Sequence, residues 1–196
     1  MMFDQAVTLK MNEIRLEPLD FSHEAGLQAA CQDGEVWKLR VTSAPHFSDV
    51  KEYIELALQQ KEKAERFAFA VIDDVNNKIL GTTSYHDILP NVKRLEVGYT
   101  WYAECAQRTH VNTTCKFLML QHAFESLDAN VVGLRTDCLN FNSQRAIERL
   151  GAKKDGVIRG HVLRKDGTIR DTVMYSILQS EWINIRAHLL HLLDRE

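Results

Sequence analysis

Apolar and polar positions alternate in segments that change period along the chain. Ile14-Arg15-Leu16-Glu17-Pro18-Leu19 repeats every second residue, which predicts a strand. Ser22 is placed to cap a helix from His23 to Gln32. From Asp49 to Lys63, the residues Val50, Tyr53, Ile54, Ala57 and Leu58 recur at helical spacing and give one apolar face. Arg66–Asp73 and Lys78–Tyr85 read as strands joined by a hairpin at Asn76-Asn77, and Leu95–Tyr102 as a third strand. Thr113–Leu127 carries a helical stripe of Phe117, Leu120, Phe124 and Leu127. Val131–Cys138 is a strand reached across that helix, and a strand–helix–strand unit of this length implies parallel pairing. Asn142–Leu150 is a short helix with Gly151 as its C′ residue. Val157–Arg164 and Arg170–Leu178 form a hairpin around Lys165-Asp166-Gly167-Thr168, and Ser180–Leu193 is a terminal helix.

This order predicts a mixed α/β sheet of about seven strands, antiparallel first and parallel in the middle, flanked by helices. A chain of 196 residues without repeats or a Pro/Gly/Ser-rich linker is expected to form one domain over 1–196. Hydrophobic residues at 45% and charged residues at 26% are ordinary for a folded chain. A net charge of −3 gives no basis for a nucleic-acid-binding surface and mildly favours a cationic partner. No apolar run reaches the roughly 18 residues of a membrane span, and the N-terminus lacks a signal-peptide core. Cys31, Cys105, Cys115 and Cys138 show no C-x-x-C pairing, so free thiols in a reducing cytoplasm are expected. The eight histidines are scattered, and no metal site is expected.

Two blocks carry candidate chemistry. The first is the polar turn from Gln107 to Asn112 that opens the helix after the third strand of the meander. A helix start presents amides without partners and a dipole that favours an anion. Arg108 adds a cation, Thr113 and Thr114 add hydroxyls, and Asn112 or Thr113 is the expected N-cap. The candidate anion site is therefore Gln107, Arg108, Thr109, His110, Val111, Asn112, Thr113 and Thr114. The second block is Asn140-x-x-Ser143 after the next strand, followed by a helix and Gly151-Ala152. A capped core helix accounts for either block taken alone.

Taken together, the blocks resemble the acyl-CoA-binding half of the GNAT N-acetyltransferase superfamily, and the element order resembles that fold over nearly the whole chain. The resemblance implies acetyl-CoA as cosubstrate, with the pyrophosphate at the 107–114 turn and the thioester arm between two splayed parallel strands. The family's turn pattern, Gln/Arg-x-x-Gly-x-Gly/Ala, is met at Gln107, while His110 and Asn112 occupy its glycine positions. His110 is therefore expected to hold an unusual backbone angle or to sit in an altered turn. The resemblance implies that Asn140 bonds the pantetheine arm and that Ser143 lies near the thiol. Many family members place a tyrosine acid where this chain has Ile147, which makes Ser143 the expected acid. Glu96-Val-Gly-Tyr-Thr-Trp101, Ala146–Ala152 and the run from Arg170 to Leu178 ending at Glu181-Trp182 look like the ribosomal-protein N-terminal acetyltransferase branch.

Acetyl transfer to an amine needs a proton acceptor. Glu96, eleven residues before Gln107, resembles the family's catalytic glutamate and is the first candidate. His86 is the rival, although a surface histidine is the commoner outcome. His161 and Asp171 lie on the last hairpin and could bind the amine or serve structure. The carbonyl is expected to meet a backbone N–H near Tyr99 to Tyr102. Of Tyr99, Trp101 and Tyr102, two are expected in the core, and Cys138 is expected to be a buried inert thiol. The acceptor is expected to be a protein N-terminal α-amine or a small amine, and a homodimer is possible on the family pattern. A catalytically weak acyl-CoA-binding module of the same fold remains the alternative.

Overall fold

The computed structural model describes residues 7–195. Eight strands form one sheet: β1 (Leu9–Met11), β2 (Ile14–Pro18), β3 (Arg66–Asp73), β4 (Lys78–Leu89), β5 (Arg94–Tyr102), β6 (Val131–Asp137), β7 (Lys153–Leu163) and β8 (Ile169–Leu178). Their order is β1-β2-β3-β4-β5-β6-β8-β7, and every neighbouring pair is antiparallel except β5 with β6. The expected mixed α/β architecture is present with one strand more than the sequence pattern predicts. β1 has only three residues, too few to show a period, and it folds back on β2 through Asn12 at φ 52°.

Helices cover the sheet unequally. α1 (Glu24–Gln32) lies on β4 and α2 (Val50–Glu62) on β3, burying Leu27, Val50, Ile54 and Ala57. On the opposite face, α3 (Val111–Gln121) and α5 (Trp182–Leu193) bury Phe117, Leu120, Ile185 and Leu189. β3 is covered on both sides, with Ala68, Ala70 and Ile72 toward α2 and Phe69 and Val71 toward α3. That is why its sequence reads as a nearly continuous apolar run. α4 (Phe141–Arg149) follows β6 and ends at Gly151, whose φ of +94° is the left-handed C′ geometry expected there.

Two local expectations are corrected. Asp20, not Ser22, caps the first helical segment, because its carboxylate accepts from the Ser22 N–H at 2.9 Å. The segment begins as a short 3₁₀ turn, Phe21–His23, before α1. The helix expected to run unbroken to Leu127 widens into a π turn over His122–Ser126. The buried Tyr85 hydroxyl donates to the Met119 carbonyl at 2.6 Å, and an inserted side-chain donor loosens the helical ladder at that point.

Candidate active site

β5 and β6 pair over only three rows, Arg94–Val131, Leu95–Val132 and Glu96–Gly133. Past those rows they part. The cause lies in β5, where Thr82 pairs with Trp101 and Ser84 with Gly98, so Tyr99 and Thr100 together face Thr83. Tyr99 takes a left-handed φ of 49°. An extra residue of this kind bends its strand and turns local amides away from the ladder. The gap opens toward the carboxyl ends of both strands, where α3 and α4 begin, so two positive helix ends flank it.

Of the two expectations for the turn into α3, an unusual angle at His110 or an altered turn, the altered turn is the one found. His110 is the N-cap with an ordinary φ of −62°, and the left-handed residue is Arg108 at φ 61°. The absent glycines are thus accommodated by moving the strained position two residues earlier. Asn112 and Thr113 lie in the first turn, not at the cap. Thr109 Oγ1 donates to the Ala106 carbonyl at 2.7 Å and accepts from the Val111 N–H at 3.3 Å. Gln107 Nε2 donates to the Tyr102 carbonyl at 3.1 Å, so this side chain braces the turn. Thr114 is buried and its hydroxyl has no hydrogen bond among the described residues. Thr113 Oγ1 accepts from Arg149 at 2.7 Å, which brings a cation from the end of α4 to the start of α3. Arg149 is 36 residues from Thr113, and no local pattern announces it.

Across the gap, Asn140 Oδ1 accepts from the Ser143 N–H at 3.0 Å and caps α4. Its Nδ2 makes no hydrogen bond among the described residues. The Ser143 hydroxyl is half-buried and holds no hydrogen bond among the described residues. Ile147 is buried in the core, and Cys138 is half-buried, not fully buried as expected.

The second half of the site is one face of β4, β5, β6 and β8. Directly opposed residues share a face. The registers therefore align His86 with Glu96, Glu96 with Gly133, Arg135 with Met174 and Asp137 with Thr172. Glu96 is 4% exposed, and its carboxylate sits 3.3 Å from Arg94 and 3.3 Å from Arg135. His86 is 5% exposed, which overturns the surface placement expected for it. Its Nδ1 faces Arg135 at 3.2 Å and Asp87 at 3.4 Å, and Arg135 also pairs with Asp87. Its Nε2 lies over Gly98, where a Cβ would sit 2.3 Å away, so the glycine makes room for the ring. Ligand atoms of His86, Asp87 and Glu96 lie within 4.8 Å of one another and could geometrically hold a cation. Arg94 and Arg135 already supply positive charge there.

Tyr99 packs edge-on to His86 at 5.1 Å and carries the Arg66 guanidinium over its ring at 4.0 Å. Tyr99 is 37% exposed and lines the cleft, while Trp101 and Tyr102 are buried, as expected for two of the three. Arg66 is buried, bonds Ser84 Oγ and the Tyr53 hydroxyl, and was not foreseen as part of the site. His161 bonds Thr172 Oγ1 and Asp171 accepts from the Gly160 N–H, so both brace the hairpin. The hairpin tip also reaches across the sheet: Asp166 and Thr168 bind Arg40, and Lys165 donates to the Ala44 carbonyl at 2.7 Å. That contact joins the α1–α2 segment, seated on β3 and β4, to β7–β8, and so passes over β5 and β6.

The family model described as the acetyltransferase (GNAT) domain matches residues 13–153. The chain belongs to the GNAT acetyltransferase family. By that membership it is an acetyl-CoA-dependent acetyltransferase. It is 29% identical over 107 residues to the "Putative ribosomal N-acetyltransferase YdaF" of Bacillus subtilis (strain 168), an alignment covering 55% of this chain and 57% of that relative. A solved "putative acetyltransferase" from T. thermophilus superposes with a TM-score of 0.84 at 31% identity, over 97% of this chain and 99% of the other. A GCN5-related N-acetyltransferase from Brucella melitensis gives a TM-score of 0.84 at 26% identity, over 95% and 85%. Among the described residues, no helix of this GNAT chain is long and apolar enough to cross a membrane.

Proposed function

We propose that the protein moves the acetyl group of acetyl-CoA to a primary amine, a protein N-terminal α-amine or a small-molecule amine, by direct attack. The observation that carries this reading is the parting of β5 from β6 beside a buried His86–Glu96 pair. The gap suits an extended arm, since its walls are strand backbone with unpaired ladder groups. Arg108, Arg149 and the first amides of α3 suit the pyrophosphate, and Asn140 Nδ2 suits an amide of the arm. The likeness to a relative named for ribosomal acetylation supports a protein N-terminus as one acceptor.

An α-amine has an ordinary pKa near 8 and arrives mostly charged at neutral pH. Both Glu96 oxygens face arginines, whereas His86 Nε2 has no hydrogen bond among the described residues. We therefore assign proton removal to His86 Nε2, directly or through a water, with the ring proton kept on Nδ1 and donated to Asp87, and with Glu96 holding Arg135 in place. This reverses the order suggested by the sequence. An amide of the Tyr99 bulge polarises the thioester carbonyl. The Ser143 hydroxyl, in the first turn of α4, protonates the departing thiolate, which the helix dipole also favours.

The test is acetyl-CoA-dependent release of thiol across a panel of N-terminal peptides and small amines. Saturable release that falls roughly 10²–10⁴-fold in His86→Gln supports the assignment. If Glu96→Gln abolishes turnover while His86→Gln spares it, the carboxylate is the base. Acetyl-CoA binding without release from any amine would leave only the binding-module reading.

A further inference from the structure

Around the exit of the gap, the distribution of charge is not that of the whole chain. Arg164 and Arg170 both face Asp137 at the end of β6 and the facing stretch of β8, with Arg135 beside them on the same sheet face. Asp137 is 2% exposed, and Arg164 takes both of its oxygens, at 2.6 and 2.9 Å. Arg135 is committed to Asp87 and Glu96. Arg170 remains. Its Nε donates to Thr172 Oγ1 at 2.9 Å, and no carboxylate pairs with it among the described residues. The side chain is half-buried, so its guanidinium is partly removed from water, while Asp137, already held by Arg164, faces it only from beyond ion-pair distance. The hydrogen bond to Thr172 directs the group back along β8 toward Arg135, over the same sheet face as His86 and Glu96.

We propose that Arg170 binds a carboxylate of the acceptor, and that the preferred acceptors carry an acidic group within the first two residues after the amine. This deepens the acetyl-transfer reading and rests on it. With Nε held by Thr172, the planar guanidinium keeps its Nη1–Nη2 edge for a carboxylate, which it meets in bidentate fashion as a lysine could not. Spacing sets the distance from the amine. β8 lies two strand positions from β5, about 10 Å at the usual strand separation. A residue of extended chain spans about 3.3–3.6 Å, so an Asp or Glu side chain at position two covers part of that span and the long Arg170 side chain, extended from β8, covers the rest. The net charge of −3 points weakly to a cationic acceptor, but a local cation without a partner outweighs a distant global excess in a medium where free charges are screened over about 10 Å.

The experiment compares two peptides that differ only in Asp or Asn at position two, with thiol release as the readout. The wild type is expected to favour the Asp peptide at least tenfold in kcat/KM, through KM, with the preference shrinking as salt rises from about 50 to about 500 mM. Arg170→Gln should bring the two peptides to parity while leaving the KM for acetyl-CoA unchanged, and that unchanged value also certifies the fold. Arg170→Lys should recover only part of the preference. Equal use of both peptides by the wild type would overturn the acidic-acceptor proposal and leave acetyl transfer standing. A change confined to the acetyl-CoA KM in Arg170→Gln would reassign Arg170 to the cosubstrate and also overturn it. Absence of release from both peptides and from all small amines would remove the transfer reading and this proposal together.

Discussion

Lys116 offers a sharp test of how the core is built. It lies on α3, is 6% exposed, and points into the sheet, where its Nζ donates to Thr100 Oγ1 at 2.7 Å and Thr83 Oγ1 at 3.3 Å. No carboxylate pairs with it among the described residues, and burial pushes its amine down from the ordinary 10.5 to about 8. That difference corresponds to about 3 kcal/mol of disfavoured charge, present in full below pH 8 where folded and unfolded chains are both protonated. Between about 8 and 10.5 the folded chain sheds the proton first, so the penalty fades as pH rises, falling to roughly 1.4 kcal/mol by pH 9.5. Lys116→Met keeps the shape and leaves Thr83 and Thr100 bonded to each other at 2.8 Å, so no buried hydroxyl is stranded. Set against a lost hydrogen bond worth about 1 kcal/mol, the variant should be about 2 kcal/mol more stable at pH 7 and near parity at pH 9.5. Urea denaturation of both chains at the two pH values measures this difference of differences. A variant less stable at pH 7, or an advantage that ignores pH, would refute the reasoning.

Other outcomes follow from the site. Asn140→Ala should weaken acetyl-CoA binding about tenfold by calorimetry and also lower stability by about 1 kcal/mol in urea, because the same side chain caps α4. Arg108→Glu should weaken CoA binding, more so at low salt, and an unchanged affinity at low salt would move the pyrophosphate elsewhere. Ser143→Ala should reduce turnover with little change in acetyl-CoA affinity; equal turnover would remove the hydroxyl from the chemistry. Gly98→Ala should cut turnover by displacing the His86 ring, since the new methyl would need the space of Nε2, while thermal stabilisation by acetyl-CoA persists.

The framework was legible because it is written in local periods. β3 matches its expected bounds, Arg66–Asp73, and the Asn140–Gly151 unit has the expected cap and C′ residue. What escaped depends on groups distant in sequence. β1 exists only because β2 offers it an edge. The π turn arises from a tyrosine 34 residues away from the carbonyl it bonds. His86 is buried by Tyr99 and by the absence of a side chain at Gly98, neither of which a strand-end histidine reveals in sequence. In the turn into α3, the altered geometry places the left-handed residue at Arg108, just after a 3₁₀ turn, Glu104–Ala106, that no periodic pattern marks.

The contact between the hairpin tip and the α1–α2 segment gives the acceptor face a roof, and a roof selects by shape. While those contacts are closed, a loose chain end or a small amine suits the space beneath Arg40, Asp166 and Lys165 better than a folded protein surface does. The fastenings are one exposed ion pair and two hydrogen bonds, individually worth about 1 kcal/mol or less. Such a roof lifts readily, and salt loosens it further. For the proposed transfer, an acetylated product would then leave by the parting of a few surface contacts, with the core unchanged.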